Sequence, residues 1–307
     1  MRLSALADLR DLRAEKTWAD YPLGVVKCLV DAGFPLTGFN AEISSDLPVG
    51  AGLSSSAAVE VATATFLVKL FNLQLEPLAL AKLCRKAENE FVGMNCGLLD
   101  QVSSVFGRKN HAIFLDCRNE TVENVPFPSE LALLITHSGV KHALVGGEYN
   151  ERREQCFEAA RLMGAKTLRD VTLEQMRAAR NDLPELLYRR ALHIVGENDR
   201  VMQGVAFLKD GEAEQFGKLM FESHESSRFN FENSTEELDD LVLLASKEEG
   251  VLGSRLTGGG FGGATVSLIR REAAADLTKS ISTKYNERTG NVCEIYLCEI
   301  AEGAHVL

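Results

Sequence analysis

The 307 residues are 45% hydrophobic and 25% charged, as in ordinary soluble chains, and they suffice for two domains of about 100 to 200 residues each. A net charge of -11 excludes the basic footprint with which general nucleic-acid binders neutralise phosphates, so no nucleic-acid partner is expected. Seven scattered cysteines, odd in number and without a C-x-x-C pair, exclude a disulfide framework or structural zinc site and are expected to be buried reduced thiols.

The opening stretch M-R-L-S-A-L-A-D-L-R-D-L-R mixes acid and base without an apolar centre, unlike a signal peptide. No apolar run approaches the roughly 18 to 20 residues that span a bilayer, so no membrane partner and a cytoplasmic location are expected. Gly38 to Ser44 alternates, with Phe39, Ala41 and Ile43 on one side, and predicts a half-buried strand. Pro48 to Ala58, P-V-G-A-G-L-S-S-S-A-A, then runs straight into an alanine- and valine-rich helix predicted over Ala57 to Leu73. Glycines at 50 and 52 let the backbone approach a ligand, and the hydroxyls of Ser54, Ser55 and Ser56 lie where helix caps lie, beside unpaired N–H groups. That combination makes an anion site backed by a helix dipole. It contains no lysine, so it is not the Walker loop.

Leu78 to Gly93 carries Leu80, Leu83, Cys84, Ala87 and Phe91 at helical spacing, with Glu88 beside that face. Asp100 follows the turn at Gly97. Carboxylates near a phosphate loop are what phosphoryl transfer requires, one for a divalent cation and one for the attacking hydroxyl. Short apolar runs at His111 to Asp116 and Leu131 to Thr136 predict strands, and the prolines at 126 and 128 mark a domain boundary within Glu123 to Glu130. Helical patterns follow at Glu148 to Met163, Leu183 to Leu208 and Thr235 to Lys247. The loop Thr257 to Gly263, T-G-G-G-F-G-G, contains a G-x-G-x-x-G string, but A-T-V-S-L-I after it reads as a strand where a dinucleotide fold needs a helix. A last strand is predicted over Val292 to Leu297 beyond another helix. Strands and helices in both halves, without strict alternation, give an α+β class.

These segments resemble the GHMP kinases, a family named for galactokinase, homoserine kinase, mevalonate kinase and phosphomevalonate kinase. The glycine-serine loop is similar to the family's second motif and T-G-G-G-F-G-G to its third. A-E-N-E-F-V-G-M-N-C-G-L-L-D-Q, Y-N-E-R-R-E-Q-C at Tyr149 to Cys156, H-I-V-G-E-N-D-R-V at His193 to Val201, Ser223-His224 and E-L-D at Glu237 to Asp239 resemble the galactokinase branch, as does W-A-D-Y-P-L-G-V at Trp18 to Val25.

The resemblance implies a two-domain fold. A ribosomal-protein-S5-like N-terminal domain, 1–126, would carry the phosphate loop and catalytic aspartate, and a ferredoxin-like C-terminal domain would follow over 127–307. It implies that Pro48, Gly50, Ala51, Gly52, Leu53, Ser54, Ser55 and Ser56 cradle the phosphates of ATP. Ser55 or Ser56 and Glu88 would ligate Mg²⁺. Asp100 would be the catalytic aspartate beside the C1 hydroxyl of galactose, and Tyr149, Gly259 and Gly260 would contact substrate. Cys117 and His193 are expected as core or capping residues, and the protein as a monomer or weak dimer. The family's opening motif, G-R-x-N-L-I-G-E-H-x-D-Y, does not occur in the 307 residues. The expectation is therefore an N-terminal domain truncated at its start, by start-site assignment or by real loss. Its missing arginine would cost about 10³ to 10⁵ in rate. A kinase for another sugar and a non-catalytic galactose and ATP sensor remain open on this reading.

Overall fold

The computed structural model describes residues 4–47, 53–140 and 145–307, and within the helix that starts at Val145 it does not describe the side chains of Val145, Gly146 and Tyr149. The chain forms two compact units: residues up to Val125 with Ile300–Leu307, and Pro126–Glu299. The expected halves, 1–126 and 127–307, thus differ from this division at the C-terminus. There Gly303 N donates to Gly107 O at 2.7 Å and Ala304 N to Ser104 O at 2.8 Å, which ties the last residues to the first unit.

The first unit is mostly helical. Its helices are α1 (Asp20–Asp31), α2 (Ser55–Leu70), α3 (Pro77–Lys86) and α4 (Leu99–Phe106), followed by a two-stranded sheet of β1 (His111–Asp116) and β2 (Thr121–Pro126). Pro77 opens α3 at the position where its missing N–H costs nothing. The helix predicted from Leu78 to Gly93 is found as α3 continued by a π-helical turn, Ala87–Val92, which ends at Gly93 with φ 84°. Val25, Leu29, Val61, Leu67, Leu80 and Cys84 form the core between α1, α2 and α3. The strand predicted over residues 38–44 is absent: that stretch is unpaired coil, and of its three apolar residues Ala41 and Ile43 are exposed. Phe39 alone packs, edge-on against Phe66 and Phe71. A strand needs a neighbour for its N–H and C=O groups, and among the described residues none lies beside this one.

The second unit contains β3 (Leu131–His137), α5 (Val145–Leu162), α6 (Leu173–Ala178), α7 (Glu185–Lys209), α8 (Ala213–Ser226), α9 (Glu236–Ala245), β4 (Val251–Thr257), β5 (Ala264–Arg270), α10 (Ala274–Thr289) and β6 (Glu294–Cys298). The antiparallel sheet runs β4-β5-β3-β6, so Ile135 faces Val266 on one side and Tyr296 on the other. With α5–α9 as the first crossover and α10 as the second, this is the β-α-β-β-α-β ferredoxin-like order. Leu134, Ile269, Leu241, Leu277, Ile281 and Tyr285 bury its sheet against α9 and α10, each aliphatic chain contributing about 1.5–3 kcal/mol. Ala159, Met176, Tyr188, Ala191 and Val195 form a separate helical core. Ser223-His224 and E-L-D meet here: His224 Nδ1 accepts Leu256 N at 3.3 Å, and Asp239 lies 3.2 Å from His224 Nε2.

All seven cysteines are free. Cys28, Cys84 and Cys293 are buried as expected, whereas Cys117 is exposed at the β1–β2 turn and is not a core residue. Among the described residues no helix is long and apolar enough to cross a membrane.

Candidate active site

In the first unit the chain enters α2 through Ser54, Ser55 and Ser56. Ser54 precedes the helix in the left-handed region (φ 52°, ψ 39°), a conformation that a non-glycine residue holds at a cost. Its side chain makes no capping bond, so the first-turn N–H groups are not consumed by the serine expected to cap them. Ser55 and Ser56 occupy the first turn, half-buried, with Leu53 just before them. Pro48, Gly50, Ala51 and Gly52 lie outside the described residues.

One turn further along α2, Glu60 is fully buried. Gln101 Nε2 donates to Glu60 Oε2 at 3.3 Å and to Glu88 Oε2 at 2.8 Å, and Cys96 Sγ lies 3.2 Å from the same Glu88 oxygen. Glu88 is 6% exposed and belongs to the π-helical turn, whose extra residue per turn is often found at functional sites. Asn89 Oδ1 accepts Cys96 N at 2.8 Å and fixes the loop that follows. Among the described residues neither carboxylate has a lysine or arginine partner, and Glu60 Oε1 is buried without a hydrogen bond. Burial, and then the charge of Glu88, pushes Glu60 up to about 8. Burial and the Glu88 carboxylate push the Cys96 thiol up to about 12.

Asp100 lies in the first turn of α4, exposed, directly before Gln101. The structure therefore brings α2, the π-helical turn and α4 to one point. Along α2, Ser56 is about 6 Å of axial rise from Glu60. Among the described residues no group of three His, Cys, Asp or Glu side chains is placed to hold a metal ion by itself. The buried carboxylates at this point, Glu60 and Glu88, are too few to enclose a cation alone, which suits Mg²⁺ held mainly by phosphate oxygens.

In the second unit the glycine loop sits on Asn233. Asn233 Nδ2 donates to Gly259 O at 3.1 Å, and Phe261 N donates to Asn233 O at 2.6 Å. Gly260 has φ +80°, and a Cβ there would lie 2.2 Å from Asn233 O, so only glycine fits. At Gly259 a Cβ would meet nothing within 4 Å. Asn233 is held in turn by the residues before it. Arg190 Nη1 donates to Asn230 O at 2.5 Å and its Nη2 to Glu232 Oε2 at 2.5 Å. Arg152 Nε donates to Phe231 O at 2.7 Å, its guanidinium lies 5.7 Å from the centre of the Phe261 ring, and Arg189 also pairs with Glu232. His193, buried as expected, stacks on Phe231 with ring centroids 4.5 Å apart. Tyr149 lies in α5, and its side chain is outside the described residues.

A model of the GHMP kinase N-terminal domain matches residues 20–108, and one of the GHMP kinase C-terminal domain matches 205–287. The chain is 46% identical to the galactokinase of Homo sapiens over 94% of its length and 73% of that protein. It is 43% identical to that of Roseiflexus sp. over 95% and 76%. The chain belongs to the GHMP kinase family, on its galactokinase branch. A crystal structure of Lactococcus lactis galactokinase complexed with galactose superposes with a TM-score of 0.87 at 32% identity, covering 97% of this chain and 79% of that one. A mevalonate kinase structure at 22% identity and a TM-score of 0.59 shares the fold.

Within this GHMP kinase four features escaped the sequence reasoning. Glu60 was signalled by a lone acid in the run A-A-V-E-V-A-T-A. Gln101 sits inside a string that the family resemblance covers, but nothing in that string says that it bridges two acids. Asn233 and the arginines at 152, 189 and 190 reach their partners across 26 to 80 positions, and no local pattern encodes that.

Proposed function

We propose that this GHMP kinase transfers the γ-phosphoryl group of ATP to the C1 hydroxyl of galactose, with Mg²⁺, as a cytoplasmic enzyme. The observation that carries the reading is Glu88, a buried carboxylate with one oxygen engaged by donors and no basic partner among the described residues. Galactokinase relatives covering more than nine-tenths of the chain supply the acceptor sugar. Mg²⁺, when bound, neutralises charge between the transferring and leaving phosphates.

The residues divide the rest of the work. The first-turn N–H groups of α2, with Ser54, hold phosphate oxygens along the helix dipole. Ser55 or Ser56 and Glu88 present oxygens to the cation. Pro48, Gly50, Ala51, Gly52 and Leu53 complete the cradle. Asp100 takes the proton of the C1 hydroxyl as its oxygen bonds to the γ-phosphorus and the bond to the bridging oxygen breaks, releasing ADP. Gly259 and Gly260 offer backbone at close approach, and Tyr149 contacts the sugar. Catalysis rests on positioning and electrostatic stabilisation.

The test is ADP release with a panel of hexoses, for the parent and Asp100→Ala. Galactose-dependent release is expected from the parent. Asp100→Ala should lose about 10³-fold or more in turnover, in line with removing a general base and its charge, while ATP binding persists. Undiminished turnover by Asp100→Ala would remove its assigned role, and indifference to galactose would remove the substrate.

A further inference from the structure

We propose that Gln101 and Glu60 are positioning residues for the divalent cation, acting through Glu88. The proposal rests on the reading of Glu88 as a cation ligand.

The geometry is a fork. Gln101 is fully buried, and its one amide nitrogen donates to both carboxylates, at 2.8 Å to Glu88 Oε2 and 3.3 Å to Glu60 Oε2. An amide nitrogen carries two N–H donors, so both are used. In this orientation the amide oxygen, Gln101 Oε1, is buried without a hydrogen bond among the described residues. Cys96 Sγ adds a third contact at 3.2 Å, again to Glu88 Oε2. One oxygen of Glu88 is thus engaged from two sides, while Oε1 has no hydrogen bond among the described residues. That is how outer partners orient a ligating carboxylate.

Glu60 explains the other arm. It stands in an otherwise apolar stretch of α2, fully buried, with no cationic partner among the described residues and with Oε1 unbonded. Its Oε2 is the acceptor for the second N–H of Gln101, so the carboxamide cannot swing off Glu88. A single side chain thereby joins α2, which begins with Ser55 and Ser56, to the turn bearing Glu88 and to α4, where Asp100 is its neighbour.

The experiment measures Mn²⁺ affinity by electron paramagnetic resonance, in the presence of a non-hydrolysable ATP analogue, with unfolding temperature recorded alongside. Gln101→Met and Glu60→Leu should each weaken Mn²⁺ binding about 10- to 100-fold, the usual cost of losing an outer partner, with metal-free nucleotide affinity unmoved. Excess Mn²⁺ should restore most of their turnover. Glu60→Gln keeps an acceptor oxygen and should recover most of the affinity lost in Glu60→Leu. Should Gln101→Met fail to fold, Gln101→Asn, one methylene shorter, carries the same expectation. Parent-like affinity in Gln101→Met and Glu60→Leu, with affinity lost in Glu88→Gln, would overturn the proposal. So would equal weakness of Glu60→Gln and Glu60→Leu, which would assign Glu60 a role through its charge. Undiminished affinity in Glu88→Gln would instead remove the ligand reading beneath it.

Discussion

In the first unit Glu60 and Glu88 lie buried with only an amide and a thiol as donors. In the second unit Glu232, Asp239 and Glu197 each pair with an arginine. Arg190 holds Glu232 below the ordinary carboxylate range, with Arg189 assisting. Burial raises Glu197, but Arg255 and Arg200 pull it below its usual value, and Ser223 Oγ donates to it at 2.7 Å. A buried charge without an internal partner must be met by a proton or an added cation. One unit is thus neutralised from within, and the other is left open to neutralisation from outside. The difference separates charge that maintains the fold from charge available to a ligand.

The largest expected effect breaks the open side. Glu88→Gln should lower turnover by about 10³-fold or more, because a bound metal supplies several kcal/mol of charge stabilisation. Its unfolding temperature without ligand should hold or rise, since a buried acid without a basic partner among the described residues gives way to a neutral amide. Parent-like turnover would show that the cation does not need this carboxylate.

The closed side should respond in stability first. Arg190→Met leaves Glu232 without its main partner and Asn230 O without its donor. Because Glu232 is 40% exposed, the expected loss is about 2–3 kcal/mol, below the value for a fully buried pair. Denaturant unfolding reads it directly. At the loop itself Gly260→Ala should lower both stability and turnover, whereas Gly259→Ala, with open space around it, should leave stability unchanged and weaken substrate or nucleotide binding. Equal stability losses at the two glycines would contradict the Asn233 seat.

The last effects are slopes of stability against pH, and they have opposite signs. Burial and Glu88 raise Glu60 to about 8 from 4.5, so the folded chain keeps a proton that the unfolded chain has released. Its contribution is full below about 4.5 and is lost as pH rises through about 8. Burial lowers His193 to about 4 from 6.5; the unfolded chain gains a proton first. That contribution is full above about 6.5 and is lost as pH falls towards about 4. Unfolding temperature measured from pH 4 to 8.5 should flatten on the alkaline side in Glu60→Gln and on the acid side in His193→Gln.

Much of this was legible in local sequence. The serine run before an apolar helix, Glu88 beside a helical face and T-G-G-G-F-G-G before a strand all depend on neighbouring residues, and each lies where the pattern put it. What escaped depends on distant or broken patterns. Strand β4, V-L-G-S-R-L-T, is interrupted by Gly253, where its pairing with β5 shifts register. Helix α8 mixes a glycine, serines and a histidine into its turns. The predicted strand at 38–44 had the right alternation and no partner. Gln101 between Glu60 and Glu88, and Arg190 beneath Asn230, join residues 13 to 41 positions apart, and tertiary packing alone reveals them.

The most direct test of this contrast is the unfolding temperature of the parent and of Glu88→Gln, each with a non-hydrolysable ATP analogue, in Mg²⁺ or in a chelator. Ligand at 100 times its dissociation constant stabilises by about 2.7 kcal/mol, a rise of about 5 °C. If the buried carboxylates receive the cation, the parent shows that rise in Mg²⁺, with much of it lost in chelator and in Glu88→Gln. An equal rise in all four samples would contradict it, because the buried carboxylates would then take no part in receiving the cation.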